Sequence, residues 1–205
     1  MKNTVRALVL AALAGTVSLP AAAQMDEPAF RSSTRGFNLG VSLSSTAAVV
    51  EDSDEADTGG GLGLRAGYGF SDNVSAFLGL AVAAIQSEGL VDDQYALAHV
   101  DLGLRYSFGG PGSAFRPYVQ GAYSGRAVSM DLGSEGQLDM RGNGFTGGLG
   151  LEYFVSPALA IEGGFSYTAG ELSEGRLDGS EWVDLEDAAV DLGSGRLELG
   201  LSWHP

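Results

Sequence analysis

The 205-residue sequence contains no cysteine, a single lysine (Lys2), two histidines and six prolines. Without cysteine there can be no disulfide framework and no lipoprotein anchor on an N-terminal Cys. Positive charge is scarce as well: 11 Lys+Arg face 26 Asp+Glu, a formal net charge of −15. Nucleic acid is therefore not an expected partner, because binding it requires clustered basic residues. Beyond the first 24 residues no stretch approaches 18 continuous apolar residues, which excludes a spanning helix. A membrane location, if there is one, must come from β-strands.

What is present begins with a leader. Lys2 and Arg6 form a short basic region, Ala7 to Leu19 is an apolar run, and Pro20 precedes Ala21-Ala22-Ala23. Small residues at 21 and 23 suit a signal peptidase, and the apolar run is shorter than the roughly 20 residues a spanning helix needs. The expectation is a bacterial secretory signal over residues 1–23, cleaved after Ala23. A short polar periplasmic lead then covers residues 24–35, and a single domain covers residues 36–205. The processed chain carries nine arginines, no lysine and 26 acids. Glycine is abundant, at 32 residues, with no collagen-like period.

Four segments share one pattern: Leu62-Gly-Leu-Arg-Ala-Gly-Tyr-Gly-Phe70, Leu102-Gly-Leu-Arg-Tyr-Ser-Phe108, Leu149-Gly-Leu-Glu-Tyr-Phe-Val155 and Leu197-Glu-Leu-Gly-Leu-Ser-Trp203. Large apolar residues alternate with glycine, small polar residues or charges. Period-two alternation means strands with two chemically distinct faces. In a soluble sheet the greasy face would be the inner one. In a membrane barrel it would face lipid.

Extending the pattern gives eight strands, over about 37–49, 60–70, 74–87, 95–108, 116–129, 144–155, 159–170 and 189–203. Their connections fall into two alternating classes. Ser71-Asp72-Asn73, Gly109 to Ala114 and Ser156-Pro157-Ala158 are short turns. The others are long and acidic, expected around 51–57, 88–93, 131–143 and 171–187, and they hold 18 of the 26 acids. Short turns at one end and long loops at the other characterise bacterial outer-membrane barrels. Phe70, Phe108, Phe115, Tyr153 and Trp203 fall at the short-turn ends, where an interfacial aromatic belt is expected.

The leader, the eight alternating strands, the sorted loops and the terminal Gly195-Arg-Leu-Glu-Leu-Gly-Leu-Ser-Trp203 together resemble the small OmpA/OmpX-type outer-membrane β-barrel proteins. Arg116-Pro-Tyr-Val-Gln-Gly-Ala-Tyr123 is similar to that family's fifth strand. The resemblance implies an all-β fold, a single eight-stranded antiparallel up-and-down barrel in the outer membrane of a Gram-negative bacterium. It also implies outer-membrane lipid and lipopolysaccharide as surroundings, insertion by the barrel-assembly machinery, and a monomer. Members usually end on an aromatic residue, whereas here His204-Pro205 follow Trp203.

Strand parity places Arg65, Asp101, Arg105, Arg126, Glu152, Glu162, Arg196 and Glu198 on the face opposite the greasy one. An eight-stranded barrel is just wide enough to be filled by its own side chains. Isolated buried charges are costly, so these groups are expected to pair into an interior network that leaves no wide channel. His99 falls on the same face, two residues from Asp101, and His204 is expected at an exposed terminus. No His-x-Ser arrangement of a lipid A deacylase is present, and neither an enzyme nor a cofactor is expected. Glu51, Asp52, Asp54, Glu55 and Asp57 offer carboxylates to a divalent cation but lack EF-hand spacing, so they read as a solvated loop. The expected function is a structural or surface-interaction barrel with acidic external loops. One alternative is a porin-like narrow pore or a small-hydrophobe transporter. A second is a soluble periplasmic ligand-binding barrel with the greasy face inward.

Overall fold

A computed structural model describes residues 34–50, 56–87, 94–185 and 188–205. The leader, most of the lead, Glu51, Asp52, Asp54, Glu55 and the 88–93 loop lie outside the described residues. The described residues form eight long strands: β1 Gly36–Val50, β2 Asp57–Gly69, β3 Val74–Gln86, β4 Gln94–Ser107, β5 Phe115–Asp131, β6 Gln137–Ser156, β7 Leu159–Leu177 and β9 Val190–Trp203. A two-residue strand, β8 Val183–Asp184, pairs only with β7. Each long strand is antiparallel to the next, and β9 pairs with both β7 and β1. The sheet therefore closes on itself and leaves no edge, the condition for strands to cross a bilayer.

The register fixes the shape. Phe37 pairs with Tyr68, and the ladder continues through Ala76, Leu104, Gly121, Gly147, Tyr167 and Gly195 back to Ala47 on β1. One circuit thus climbs from Phe37 to Ala47, ten residues along the strand. A stagger of this size tilts the strands by about 40° and gives an interior that side chains can fill.

Alternation decides which face is which. Leu39, Val41, Leu43, Leu62, Leu64, Leu80, Leu102, Leu104, Leu199 and Leu201 all point outward and are exposed. The soluble ligand-binding alternative required these side chains to point inward, and the fold reverses that. Short turns, the start of β1 and the end of β9 lie at one end of the barrel, here called the periplasmic end. The aromatics expected at this level, Phe70, Phe108, Phe115, Tyr153 and Trp203, are all exposed there. Phe37, Tyr68 and Tyr106 join them, and several are packed edge to face, as in Phe37–Tyr68 at 5.2 Å and Tyr106–Phe108 at 5.0 Å. A second aromatic level contains the Tyr123–Phe145 pair and Tyr167. Eight residues separate Phe115 from Tyr123, about 20 Å along the barrel axis at this tilt, close to the height of an outer-membrane apolar band.

The expected loops over 131–143 and 171–187 are largely strand. β5 continues to Asp131, β6 begins at Gln137 and β7 runs to Leu177, leaving only residues 132–136 between β5 and β6. Asp139, Glu171 and Glu174, placed in loops by their charge, sit on these extensions. Charge was a poor marker of loop here because the strands leave the bilayer before they end. Past the lipid, an exposed strand face accepts carboxylates freely.

Candidate functional site

Every second residue of each strand points into the barrel, so the interior can be read as columns. From the loop end, β4 contributes Tyr95, Leu97, His99, Asp101, Arg105 and Ser107. β9 contributes Leu192, Ser194, Arg196, Glu198, Ser202 and finally His204 beyond the strand. Both columns run from apolar through charged to polar, and the interior is layered accordingly.

The central layer joins five strands. Arg65 on β2 grips Glu162 on β7 with both terminal nitrogens, at 2.5 and 2.6 Å. Arg105 on β4 donates to the same carboxylate at 2.8 Å and to Glu152 on β6 at 3.3 Å. Arg65 also lies 3.6 Å from Glu152. Tyr118 donates its hydroxyl to Glu162 at 2.8 Å, and the Arg105 guanidinium lies 3.7 Å above the Tyr118 ring. Gln120 accepts from Arg105 at 2.7 Å. Two guanidinium groups are thus shared between two carboxylates, with fork geometry that lysine could not reproduce.

A second layer lies toward the loops. Arg196 meets Asp101 at 2.7 Å, and Asp101 accepts from Ser124 at 2.6 Å. The hydroxyls of Ser124, Thr146 and Thr168 continue the chain across the barrel, at 2.5 and 2.7 Å. Arg126 donates to the Leu192 carbonyl and to the Ser194 hydroxyl at 3.2 Å. His99 contacts the same hydroxyl at 3.1 Å. This Ser–His contact is almost fully buried, beneath an apolar layer.

Of the eight residues singled out by parity, all face inward, but they do not form one network. Arg65, Arg105, Glu152 and Glu162 make one cluster, Asp101 and Arg196 a pair. Arg126 bonds neutral oxygens, and no described residue forms an ion pair or hydrogen bond with Glu198. Glu198 instead lines a cavity of about 60 Å³ with Gly40, Ser42, Arg65, Asp101 and Arg196. Gly150 and Gly164 face the Tyr118 hydroxyl so closely that a Cβ at either position would collide with it. These glycines make room for a tyrosine reaching across the interior.

Both ends of the interior differ from the expected polar filling. At the loop end Ala83, Ile85, Tyr95, Leu97, Val128, Leu172 and Leu192 form a buried apolar cluster, with Met130, Met140 and Val190 against it. At the periplasmic end Arg116 is fully buried, donating to the Asp72 carbonyl and to Thr34. His204 was expected to be exposed, yet it is buried. Its backbone N–H donates to the Ala158 carbonyl at 2.7 Å, its ring lies 5.0 Å from that of Phe154, and Glu152 is 3.9 Å away. Simple continuation of the β9 alternation, Ser202 in, Trp203 out and His204 in, explains this placement. Of the cation-loop candidates only Asp57 is described, at the start of β2. Among the described residues no three His, Asp or Glu side chains are grouped to hold a metal ion.

A closed eight-stranded barrel with an apolar outer band, aromatic levels at its margins and charged layers inside defines a transmembrane β-barrel. The chain belongs to the outer membrane protein beta-barrel domain family, whose model matches residues 9–203. Its fold is similar to that of Neisserial surface protein A, NspA (18% identity, covering 82% of this chain and 96% of that one, TM-score 0.64). It is also similar to OprG of Pseudomonas aeruginosa (17% identity, 85% and 98% covered, TM-score 0.57). A third similar structure is Ail, the attachment invasion locus protein of Yersinia pestis (15% identity, 82% and 98% covered, TM-score 0.56). No curated protein sequence matches the chain.

Proposed function

We propose that this protein is a closed, non-enzymatic outer-membrane barrel whose role lies at its outer surface, with acidic external loops for contact and an interior that passes no solute. The carrying observation is the Arg65–Glu162–Arg105–Glu152 cluster, which ties four strands together across the barrel centre. The apolar cluster above and the Arg116–Thr34–His204 group below support the same reading, because a continuous aqueous path would have to cross all three layers. The Ser194–His99 contact is sealed from substrate by these layers, which favours a role without catalysis. The leader fits export with cleavage after Ala23, and the apolar band fits a monomer surrounded by lipid after insertion by the assembly machinery.

Liposome swelling with small sugars tests the closed interior. Proteoliposomes of the purified, folded protein should swell no faster than empty liposomes. Size-dependent swelling would establish the narrow-pore alternative instead.

A further inference from the structure

Nine arginines follow the expected leader, and their distribution is uneven. Arg65, Arg105, Arg116, Arg126 and Arg196 are inside the barrel, and Arg31 and Arg35 precede β1. Arg141 and Arg176 remain, the only basic side chains at the loop end among the described residues, and they converge. The Arg141 guanidinium lies 4.2 Å and that of Arg176 4.5 Å from the ring centre of the same indole, Trp182. β8 carries Trp182 there by pairing Val183 and Asp184 back onto Gly175 and Glu174. A register shift between β6 and β7 sets Glu174 opposite Arg141, so both side chains stand on the outer face.

The height of this cluster decides what it can meet. Arg141 is twelve residues from Tyr153 on β6. At about 3.3 Å per residue and a tilt of about 40° that is about 30 Å, just past an apolar band about 25 Å tall. The guanidinium groups therefore stand in the headgroup layer of the outer leaflet. Directly beneath them the outer wall is recessed. Ala98, Val100, Gly125, Ala127 and Asn143 floor a groove of about 420 Å³ that Arg141 and Glu174 cap. Each arginine turns its Nε–Nη2 edge to a carboxylate, Arg141 to Glu174 and Arg176 to Asp139. Their Nη1 groups have no partner among the described residues.

We propose that this groove and its two arginines form a docking site for one phosphorylated saccharide lipid of the outer leaflet, of the lipid A type. An acyl chain lies on the small-residue floor, and a headgroup phosphate accepts from Arg141 and Arg176. The unshared Nη1 donors select the occupant, since the other described charges at the loop end are carboxylates, which offer a phosphate no donor. The site rests on the membrane placement of the fold and is independent of whether the interior is closed.

Native mass spectrometry of the detergent-purified, full-length protein tests it, with lipid A titrated in. The wild type should retain one lipid A, and R141Q/R176Q should weaken retention by at least tenfold. R141K/R176K, which keeps charge but loses the planar fork, should fall between the two. Dephosphorylated lipid A should bind like the double Gln variant. Heat-modifiable gel migration of every variant confirms that the barrels compared are folded. Equal retention by wild type and R141Q/R176Q would overturn the proposal. Displacement by equimolar inorganic phosphate would also overturn it, since the site would then take a small anion rather than a lipid. Retention abolished by chelators alone would do the same, by assigning the contact to cation bridging through the carboxylates.

Discussion

Glu162 accepts from Arg65, Arg105 and Tyr118 at once, so its carboxylate is the group on which the central layer turns. Removing one partner of a buried ion pair strands the others, at a cost of about 3–5 kcal/mol. Glu162→Gln should therefore lower the free energy of unfolding in detergent micelles by that amount, read as an earlier urea midpoint from the shift between folded and unfolded gel bands. An unchanged midpoint would mean that the cluster contributes no net stability. Two glycines offer a contrast that tests the assigned faces. Gly150→Ala drives a methyl into the Tyr118 hydroxyl and the Gly163 carbonyl, and should cost about 1–3 kcal/mol. Gly147→Ala meets nothing within 4 Å on the lipid side and should stay within about 0.5 kcal/mol of wild type. Parity alone located the eight charged residues, because alternation is strict where β2, β4, β5, β6, β7 and β9 cross the membrane. It missed Arg116 and Tyr118, although both share the inward parity of Gln120 and Arg126 on β5. Arg116 sits at a strand start beside Pro117, where a charge reads as solvated rim, and a tyrosine near an interface reads as belt.

At the level of elements, the extensions of β5, β6 and β7 are the part the sequence conveyed least. Alternation fades there: Asp139 and Arg141 face outward beside Met140, and glycines interrupt both strands. The apolar cluster at the loop end was hidden for a related reason. On β3 the run Ala81-Val82-Ala83-Ala84-Ile85 is apolar on both faces, so nothing distinguishes the lipid side from the inner side. Asp139 ties the β5–β6 extension together. It accepts from Ser129 at 2.7 Å, from Gln137 at 3.1 Å and from Arg176 at 2.9 Å. These bonds, that from Ser129 first, hold its carboxyl below the ordinary aspartate range. Because the folded value is depressed, the stabilisation is present above the unfolded aspartate pKa and is lost as pH falls through the folded value. Hydrogen exchange at Gln137 and Leu138 should thus accelerate relative to the barrel strands on acidification below about pH 4. In Asp139→Asn that acceleration should be absent. If both proteins respond alike, Asp139 is not the titrating group.

Taken as a whole molecule, the chain is a barrel whose outer surface is an apolar band between aromatic levels and whose interior is layered. The count of eight long strands follows directly from period-two alternation and turn residues, and the closed topology from the resemblance they carry; the sorting of connections does so only in part, since residues 132–136 alone join β5 to β6. The ten-residue stagger does not, since it depends on pairings that no single strand encodes. A barrel with an exposed leucine band must remain in the membrane. Cell fractionation should recover the protein with the outer membrane, released only by detergent, and its folded and boiled forms should migrate differently on gels. Recovery in the soluble periplasm would contradict the outward assignment of Leu62, Leu102 and Leu199. The central claim is that three layers, apolar, ionic and polar, leave no continuous path through the barrel. Single-channel recording in planar bilayers at molar KCl tests it most directly. The layered interior predicts a silent membrane after insertion of the wild-type protein, and long-lived, reproducible conductance steps would contradict it.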